Sequence, residues 1–323
     1  MRIGFIGLGN VGGKLAGSLL RNGFALTVRD LNRELAQPFL DQGASWADSP
    51  KQMAESVDMV ITCLPSPAAS AAVMEAEDGI LAGLSAGKIW AEMSTTDEAE
   101  VLRLGALVEA KGALPIDCPV SGGCHRAATG NISIFVGGER AAFERAFPAI
   151  QAMGRRILHC GPLGAASVLK VVTNYLCSVH LAALGEALMV SKQAGMDLKT
   201  AYEAIRISSG NSFVHETESQ VILNGSRNIN FTLDLVVKDM SLFQQVADRC
   251  DVALEISPLV LGIFKDGQER YGAREWSPNI VRRLEEACGA ELVAPGFPEE
   301  ILDDEPEEPG HEVVVHGARA AAE

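Results

Sequence analysis

The sequence predicts an α/β domain built on a doubly wound parallel sheet, followed by an all-α domain. In the first half, short apolar runs alternate with helical patterns, as in parallel strands joined by crossover helices. Beyond about residue 163 long helical patterns take over, up to about residue 290. A length of 323 residues suits two domains at roughly 150 residues each. The predicted bounds are 1–162 for the α/β domain, 163–293 for the helical domain and 294–323 for a tail.

The strands of the predicted sheet are short apolar runs separated by helices. The first run covers residues 2–6 and leads directly into a glycine-rich turn. In such a sheet, ligands bind at the carboxyl ends of the strands. The further strands are predicted at residues 24–28, 59–64, 88–91, 114–116 and 132–136.

The turn after the first strand has the GxGxxG pattern of dinucleotide-binding folds. In this pattern Gly7 permits the tight turn, Gly9 lets the backbone approach a pyrophosphate, and Gly12 lets the next helix pack against the sheet. Because the turn lies between a strand and a helix, the pattern predicts a dinucleotide site rather than an ordinary turn. The predicted cofactor-binding residues here are Gly7, Leu8, Gly9, Asn10, Val11 and Gly12.

Asp30 ends the second predicted strand, 18 residues after Gly12. A carboxylate at this position accepts hydrogen bonds from the hydroxyls of the adenine ribose and repels a 2′-phosphate. The sequence therefore favours NAD as the cofactor. Arg29 and Arg33 flank Asp30 and leave NADP as the alternative.

Residues 117–123 read Asp-Cys-Pro-Val-Ser-Gly-Gly and form a second candidate site. The glycines after Ser121 leave backbone amides unshielded, and such amides can hold a carboxylate. Ser121, Gly122 and Gly123 are therefore candidate substrate-binding residues. A plain turn that closes a strand is the alternative.

Two lysines lie on helical stretches of the second half. Lys170 and Asn174 are four residues apart, which places them on one helix face. Lys170 has apolar neighbours, so it either extends to the surface or transfers protons from a buried position. Lys238 could reach an anionic substrate or the nicotinamide end of a cofactor, and a surface pair with Asp234 is the alternative.

Four elements follow one another along the chain: the glycine turn with Asp30, residues 117–123, Lys170 with Asn174, and the helical stretch with Lys238. In this order and at these separations they resemble the β-hydroxyacid dehydrogenase family, which includes 3-hydroxyisobutyrate dehydrogenase and tartronate semialdehyde reductase. The resemblance covers residues 1–289. It implies a Rossmann domain joined through a long helix to an all-α domain, with the active site in the cleft between them. It also implies a homodimer or homotetramer whose interface the helical half supplies.

The resemblance implies reversible oxidation of a hydroxyl on the β-carbon of a small acid. Lys170 would act as the acid/base group, Asn174 would hold the reacting oxygen, and residues 121–123 would bind the substrate carboxylate. No metal is required, because the Lys170 ammonium stabilises the developing alkoxide. The cofactor contacts implied by the resemblance are Gly7, Gly9, Gly12, Asp30, Leu64, Pro65, Thr95 and Lys238.

The chain departs from the family pattern directly after residue 123. Family members usually have small residues there, whereas this chain has Cys124, His125 and Arg126. This difference predicts a substrate other than 3-hydroxyisobutyrate, with His125 or Arg126 recognising a second polar or anionic group. Two solvated residues at a loop tip are the alternative.

Other functions of the same architecture remain as alternatives. An imine reductase generally lacks a lysine at the position of Lys170, and a 6-phosphogluconate dehydrogenase-like enzyme would need a phosphate-binding set that the helical half does not reveal. A sensor that binds a dinucleotide without turnover is the alternative from a different class. Measuring NADH production separates it from an enzyme.

Composition limits the partners and the compartment. A net charge of −15 argues against nucleic acid as a partner. Seven cysteines without a CxxC pair indicate reduced thiols in a cytoplasmic protein, and the histidines lack metal-ligand spacing. Polar residues interrupt the most apolar stretch, 169–190, which favours a buried helix over a membrane span. The first residues contain no secretion signal.

The tail is acidic and contains four prolines, which exclude a continuous helix. Nine acidic residues and one basic residue give it more than half of the net charge. One interpretation is a solvated extension. The other is an arm in which Val313 to Val315 pairs with a sheet edge or packs on a neighbouring subunit.

Overall fold

The computed structural model describes residues 1–315, and the last eight residues of the predicted tail, 316–323, lie outside the described residues. The predicted order of a Rossmann-type α/β domain and an all-α domain is confirmed. By compactness the chain divides into a sheet unit, residues 1–170 with the tail from residue 303, and a helical unit, residues 171–302. The boundary thus lies eight residues after the predicted one, and each unit takes part of the predicted tail.

The sheet unit contains a ten-stranded sheet with the order β10-β9-β8-β6-β5-β4-β1-β2-β3, in which β7 pairs with β8. Strands β1 to β6 are parallel in the order 3-2-1-4-5-6 of doubly wound folds. The strands are β1 (Arg2–Ile6), β2 (Ala25–Arg29), β3 (Ser45–Trp46), β4 (Met59–Thr62), β5 (Ile89–Glu92), β6 (Leu114–Asp117), β7 (Val120–Ser121), β8 (Ser133–Gly137), β9 (Arg156–Gly161) and β10 (His311–Glu312).

The sheet is mostly parallel, as predicted, and the pairings of one strand depart from this arrangement. Strand β8 runs antiparallel to β6 and to β7, whereas β9 and β10 continue parallel to β8. The only helix between β6 and β8 is α7 (Gly123–Ala128), which has six residues and is about 9 Å long at 1.5 Å per residue. It is too short for a crossover, so the chain turns back. Strands β3, β7 and β9 were not predicted, and β10 lies directly before the segment for which pairing with a sheet edge was one interpretation.

Helices connect the strands of the sheet unit and bury both faces of its central strands. Residues of β4 and β5 are all buried, as expected for parallel strands covered on both sides. Serine hydroxyls cap α3 and α4, and a proline follows each cap. The helices are α1 (Gly12–Arg21), α2 (Gln37–Leu40), α3 (Pro50–Ser56), α4 (Pro67–Glu75), α5 (Ile80–Gly83), α6 (Glu98–Glu109), α7 and α8 (Arg140–Met153), and a 3₁₀ helix covers Arg33–Ala36.

Helix α9 (Ala165–Gln193) has 29 residues and runs from the sheet unit into the helical unit. The helical unit has its own apolar core, which includes Leu188, Ile222 and Phe264. Its other helices are α10 (Leu198–Arg206), α11 (Phe213–Asn224), α12 (Leu233–Arg249), α13 (Ile256–Tyr271) and α14 (Arg282–Cys288), and a 3₁₀ helix covers Ser277–Val281.

The described part of the tail is largely exposed, but it is attached to protein at several points and is therefore not a free extension. Its first part lies on the helical unit, where Asn224 donates to the carbonyl of Phe297 at 2.9 Å. Residues 303–313, named here the C-terminal strap, lie on the sheet unit. Strand β10 extends the sheet beyond β9, and the amide of Val313 donates to the carbonyl of Ile157 at 2.7 Å. The sheet-edge pairing therefore begins two residues before the predicted segment.

Glu218 of α11 is a carboxyl group inside the helical core, with 6% of the residue exposed. Burial raises its pKa to about 8, although the Cys177 thiol, 3.8 Å away, acts in the opposite direction. Below this pH the folded protein holds Glu218 in its neutral form. The unfolded chain ionises the same group near 4.5.

We expect Glu218→Gln to stabilise the protein at alkaline pH. Between pH 4.5 and about 8 the unfolded state loses the proton and the folded state keeps it, so wild-type stability falls as the pH rises. At pH 8.5 the variant should gain on the order of 4 kcal/mol, at about 1.4 kcal/mol per pKa unit. Urea denaturation at pH 5.5 and 8.5 measures this, and the gain should shrink at pH 5.5.

Glu216→Gln on the exposed side of the same helix is the matched control, and its stability should follow that of the wild type. Equal effects of Glu218→Gln at both pH values would contradict the assignment of Glu218 as a neutral buried group.

Candidate active site

The glycine turn joins β1 to α1 and has the geometry of a phosphate-binding turn. Gly7 has a φ of +101°, and a Cβ there would lie 2.2 Å from the carbonyl oxygen of Cys63. A Cβ on Gly12 would lie 2.0 Å from the carbonyl oxygen of Gly7. A Cβ on Gly9, in contrast, would meet no atom within 4 Å. Protein packing therefore explains two of the glycines, and the open face at Gly9 fits the approach of a dinucleotide phosphate.

Asp30 follows β2 and braces the same turn. Its carboxylate accepts the amide of Leu8 at 2.7 Å and the amide of Asn32 at 2.9 Å. Arg29 donates to the carbonyls of residues 47 and 48, and its guanidinium lies 5.8 Å from the ring centroid of Trp46. Arg33 lies over the same ring at 5.1 Å. Asp30 is thus held beside the glycine turn, and both flanking arginines are held at Trp46.

A buried carboxyl group positions the next two loops of the predicted cofactor site. Glu92 ends β5, and its Oε1 accepts hydrogen bonds from the amide and the hydroxyl of Ser94. The Ser94 hydroxyl in turn accepts the amide of Leu64 at 2.7 Å. Burial raises the pKa of Glu92, against the effect of the bonds from Ser94. The loop after β4, which contains Leu64 and Pro65, is therefore held to the loop after β5, which contains Thr95.

The predicted substrate loop, residues 121–123, connects β7 to α7. Ser121 pairs with Ser133 of β8, and Gly122 and Gly123 have φ values of +128° and +85° that favour glycine. Burial, together with the charge of Arg126, lowers the pKa of His125, so this ring is neutral at physiological pH.

Arg126 is turned toward the C-terminal strap. Its guanidinium lies 3.9 Å from the carboxylate of Glu305, and 30% of its side chain is exposed. The alternative interpretation, two solvated residues at a loop tip, is therefore incomplete. The loop carries a neutral histidine and places a cation beside the strap.

Asp117 anchors the beginning of α9. One carboxylate oxygen accepts the amide of Gly164 at 2.8 Å, and the other accepts the amide and the hydroxyl of Ser167 at 2.7 and 2.8 Å. Burial raises the pKa of Asp117, and the three hydrogen bonds act in the opposite direction. Lys170 lies one helical turn after Ser167 and is 8% exposed. Asp117 therefore fixes the helical turn directly before Lys170.

In the helical unit, the predicted residues Asn174 and Lys238 meet at one buried carboxylate. The amide nitrogen of Asn174 donates to Asp239 at 2.5 Å, and the Lys238 ammonium lies 2.9 Å from the other oxygen. The Asp239 side chain is 2% exposed. Asp234, the alternative partner of Lys238, instead pairs with Arg274 at 3.3 Å. The structure thus brings Asn174 and Lys238 together, through a residue that the sequence analysis did not identify.

Two carboxylates of the site, Glu92 and Asp239, were missed from the sequence, and Asp117 was included in the 117–123 motif without a role of its own. Glu92 and Asp117 each end a buried strand, and Asp239 follows Lys238 directly. A charged residue at the carboxyl end of a parallel strand was the signal available for the first two. Among the described residues, no group of three or more His, Cys, Asp or Glu side chains could hold a metal.

Two family models match the chain. The NAD binding domain of 6-phosphogluconate dehydrogenase matches residues 2–161, and the NAD-binding domain of NADP-dependent 3-hydroxyisobutyrate dehydrogenase matches residues 164–284. Both matches concern dinucleotide-dependent dehydrogenases, and together they cover the sheet and helical units up to α14.

Curated relatives and a solved structure agree with these matches. The chain is 30% identical to a 2-(hydroxymethyl)glutarate dehydrogenase of Eubacterium barkeri over 90% of this chain and 97% of the relative. It is 33% identical to an NAD-dependent L-serine dehydrogenase of Pseudomonas aeruginosa, over 88% and 97%. A 3-hydroxyisobutyrate dehydrogenase structure from Salmonella typhimurium aligns with a TM-score of 0.80 at 27% identity, over 88% and 99%.

We expect Asp117→Asn to destabilise the sheet unit and to loosen the first turn of α9. An asparagine would point its amide at one of the buried N–H donors and leave that donor unpaired, which costs roughly 1–3 kcal/mol. Urea denaturation measures the loss, and hydrogen exchange of the amides of residues 164–168 localises it. Ser167→Ala, which removes one of the three bonds, should lose less. Wild-type exchange in Asp117→Asn would contradict the anchoring role.

Proposed function

Because this chain belongs to the β-hydroxyacid dehydrogenase family, we propose that it interconverts a small 3-hydroxy acid and its aldehyde or keto acid. NAD(P) is the cofactor, and when bound it accepts the hydride that the carbinol carbon loses. The observation that carries the proposal is the almost complete burial of Lys170 on a helix face shared with Asn174. A buried amine with an amide one turn away is what proton transfer from a hydroxyl requires.

Each residue has a distinct role in the proposed reaction. Lys170 takes the hydroxyl proton during oxidation and returns it during reduction, and its ammonium stabilises the alkoxide. Asn174 holds the reacting oxygen in line, and Asp239 fixes the orientation of its amide. The amides of the loop 121–123 bind the substrate carboxylate. A lysine at this position also favours a dehydrogenase over an imine reductase.

We propose NAD as the preferred form of the cofactor. Asp30 lies at the end of β2 and carries the negative charge that would repel a 2′-phosphate. Arg29 is bonded to two backbone carbonyls and stacks on Trp46, so recruiting it for a phosphate would break these contacts. The name of the Pseudomonas relative, an NAD-dependent enzyme, is in line with this preference.

We propose that the substrate carries a polar or anionic group besides the carboxylate held by residues 121–123. Arg126 supports this class, because it adds a permanent charge three residues after Gly123. His125 supports it as a neutral hydrogen-bonding group. The Eubacterium relative is named for a dicarboxylate with a hydroxymethyl group, which belongs to the same class.

A substrate panel tests the proposal. NADH formation should be observed with 2-(hydroxymethyl)glutarate or L-serine at a higher kcat/KM than with 3-hydroxyisobutyrate, and NAD should be preferred to NADP. Lys170→Ala should lower kcat by about 10²–10⁴, the usual contribution of a general acid/base, while NADH binding measured by fluorescence is retained.

Lys265→Ala, at an exposed position on α13, is the matched lysine control and should keep wild-type kcat. Absence of turnover with every acid would favour the alternative of a dinucleotide-binding sensor. A preference for NADP would refute the proposed role of Asp30. Full activity of Lys170→Ala would refute the proposed role of Lys170 in proton transfer. Arg126→Ala should raise KM more for 2-(hydroxymethyl)glutarate than for 3-hydroxyisobutyrate.

We further propose that the protein is a homodimer or homotetramer in the cytoplasm. By length and composition α9 could cross a membrane, and 33% of its apolar window is buried. Its exposed side chains recur at spacings of four and three, as in a helix that packs against a second helix. Free cysteines throughout the described residues support the compartment. The exposed stripe consists of Leu176, His180, Ala183, Ala187 and Val190.

We expect Leu176→Glu to dissociate the assembly, because it introduces a charge into an interface between two copies. Multi-angle light scattering should give an oligomer for the wild type and a monomer of about 34 kDa, the chain mass, for the variant. Leu107→Glu, an exposed leucine of α6, is the control and should remain oligomeric. A monomeric wild type would refute the proposal.

A further inference from the structure

The C-terminal strap lies against α7, the short helix that follows the proposed substrate loop. The family model of the helical half ends at residue 284, so the strap lies outside the matched part of the chain. Its course is fixed by backbone bonds: the amide of Gly310 donates to Gln151 at 2.8 Å, and the amide of His311 donates to Arg155 at 2.9 Å. A Cβ on Gly310 would lie 2.0 Å from the carbonyl oxygen of Gly154, so the strap approaches the sheet unit as closely as a backbone can.

Helix α7 is flanked by glycines in the left-handed region. Gly122 precedes it, Gly123 is its first residue, and Gly130, with a φ of +74°, follows it. Glycine lowers the cost of backbone rotation at both ends. Helix α7 has six residues, so its end at residue 128 lies only about 9 Å from its beginning at residue 123. Contacts at the far end of α7 can therefore affect the orientation of the substrate loop.

Asp303 supplies these contacts on both sides of Gly130. The hydroxyl of Thr129 and the amide of Asn131 both donate to one carboxylate oxygen of Asp303, the second at 2.8 Å. Asn131 also donates to the carbonyl of Glu305 at 2.9 Å, and its backbone amide donates to the carbonyl of Arg126 at 2.8 Å. Asn131 is 5% exposed, so the donor side of these bonds is shielded from solvent. One strap residue thus holds both neighbours of the glycine.

Glu307 adds a second connection. Its carboxylate pairs with Arg21 at 3.1 Å, and the same guanidinium donates to the carbonyl of Ala128, the last residue of α7, at 2.9 Å. A Cβ on Gly130 would lie 3.2 Å from the Glu307 carboxylate, so the strap packs directly over this glycine. Rotation of α7 about Gly130 would have to break contacts with both Asp303 and Glu307.

We propose that the C-terminal strap is a positioning element of the substrate site and that Asp303, acting through α7, sets the amides of Gly122 and Gly123 for the substrate carboxylate. This inference rests on the proposed role of residues 121–123. Asp303 is suited to it because it is ionised at neutral pH. Partial burial works against the charge, but the bonds from Thr129 and Asn131 outweigh it and lower the pKa of Asp303.

Steady-state kinetics of Asp303→Ala tests the proposal with the full-length protein. KM for the best acid of the panel should rise about tenfold, the effect of losing a hydrogen bond to a charged group, while kcat and KM for NAD stay unchanged. Asp303→Asn keeps one acceptor oxygen, so its KM should lie between those of the wild type and Asp303→Ala. Glu312→Ala is the matched control, because Glu312 belongs to the same strap but pairs with Arg140 of α8. It should leave KM unchanged.

Hydrogen exchange of residues 121–131 provides a readout that needs no substrate. Exchange should be faster in Asp303→Ala than in the wild type and in Glu312→Ala. If the wild type oxidises no acid, the proposed function fails, and the exchange experiment still tests the strap. Unchanged exchange in Asp303→Ala, an unchanged KM despite faster exchange, or equal effects of both variants would overturn the proposal, since the strap would then act only on stability.

Discussion

The buried carboxylate of Asp117 is the interaction on which the active-site half of the sheet unit depends. It binds the first turn of α9 through Gly164 and Ser167, and it stands four residues before Ser121 in the chain. The site tolerates nothing larger than glycine opposite it, because a Cβ on Gly137 would lie 2.3 Å from the carboxylate. One buried carboxyl group therefore connects the helix that carries Lys170 with the strand that precedes residues 121–123. In the proposed reaction, this shared anchor would keep Lys170 and the carboxylate-binding loop 121–123 in a fixed relation to each other.

In the helical unit, Asp239 is the buried carboxylate that holds two other side chains in place. A carboxylate that is 2% exposed needs partners, and it has them in the amide of Asn174 and the ammonium of Lys238. Because the nitrogen of the Asn174 amide is bonded to Asp239, the orientation of that amide is fixed. The same group sets the position of the Lys238 ammonium. Asn174 and Lys238 therefore act as one rigid pair, and changing either one alone would leave a buried charge poorly compensated.

The parts of the site that the sequence predicted have short-range signals. The glycine turn and Asp30 lie within 24 residues, and their spacing reflects a strand, a turn and a helix whose lengths are fixed by geometry. Asp117 and Asp239 could not be assigned in this way, because Gly164 lies 47 residues from Asp117 and Asn174 lies 65 residues from Asp239, and only folding brings them together. Strand β9 escaped detection because Arg156–Gly161 mixes charged and polar residues with apolar ones. The antiparallel turn at β8 depends on the shortness of α7, which the pattern of apolar residues does not encode.

The strap shows why composition alone misjudges an acidic tail. Its carboxylates are matched to arginines of the sheet unit: Glu307 pairs with Arg21, and Glu312 pairs with Arg140. Exposed pairs of this kind contribute at most about 1 kcal/mol each, so charge by itself would not hold the segment. The backbone bonds to β9 and the close approach at Gly310 add interactions that a solvated chain could not make. The backbone contacts therefore contribute more to the binding of the strap than its acidic side chains do. The prolines restrict the backbone of the unbound segment, which lowers the entropy lost on binding. A tail with a side chain at position 310 would keep the same charge, but the side chain would collide with the Gly154 carbonyl and weaken the binding of the strap to the sheet unit.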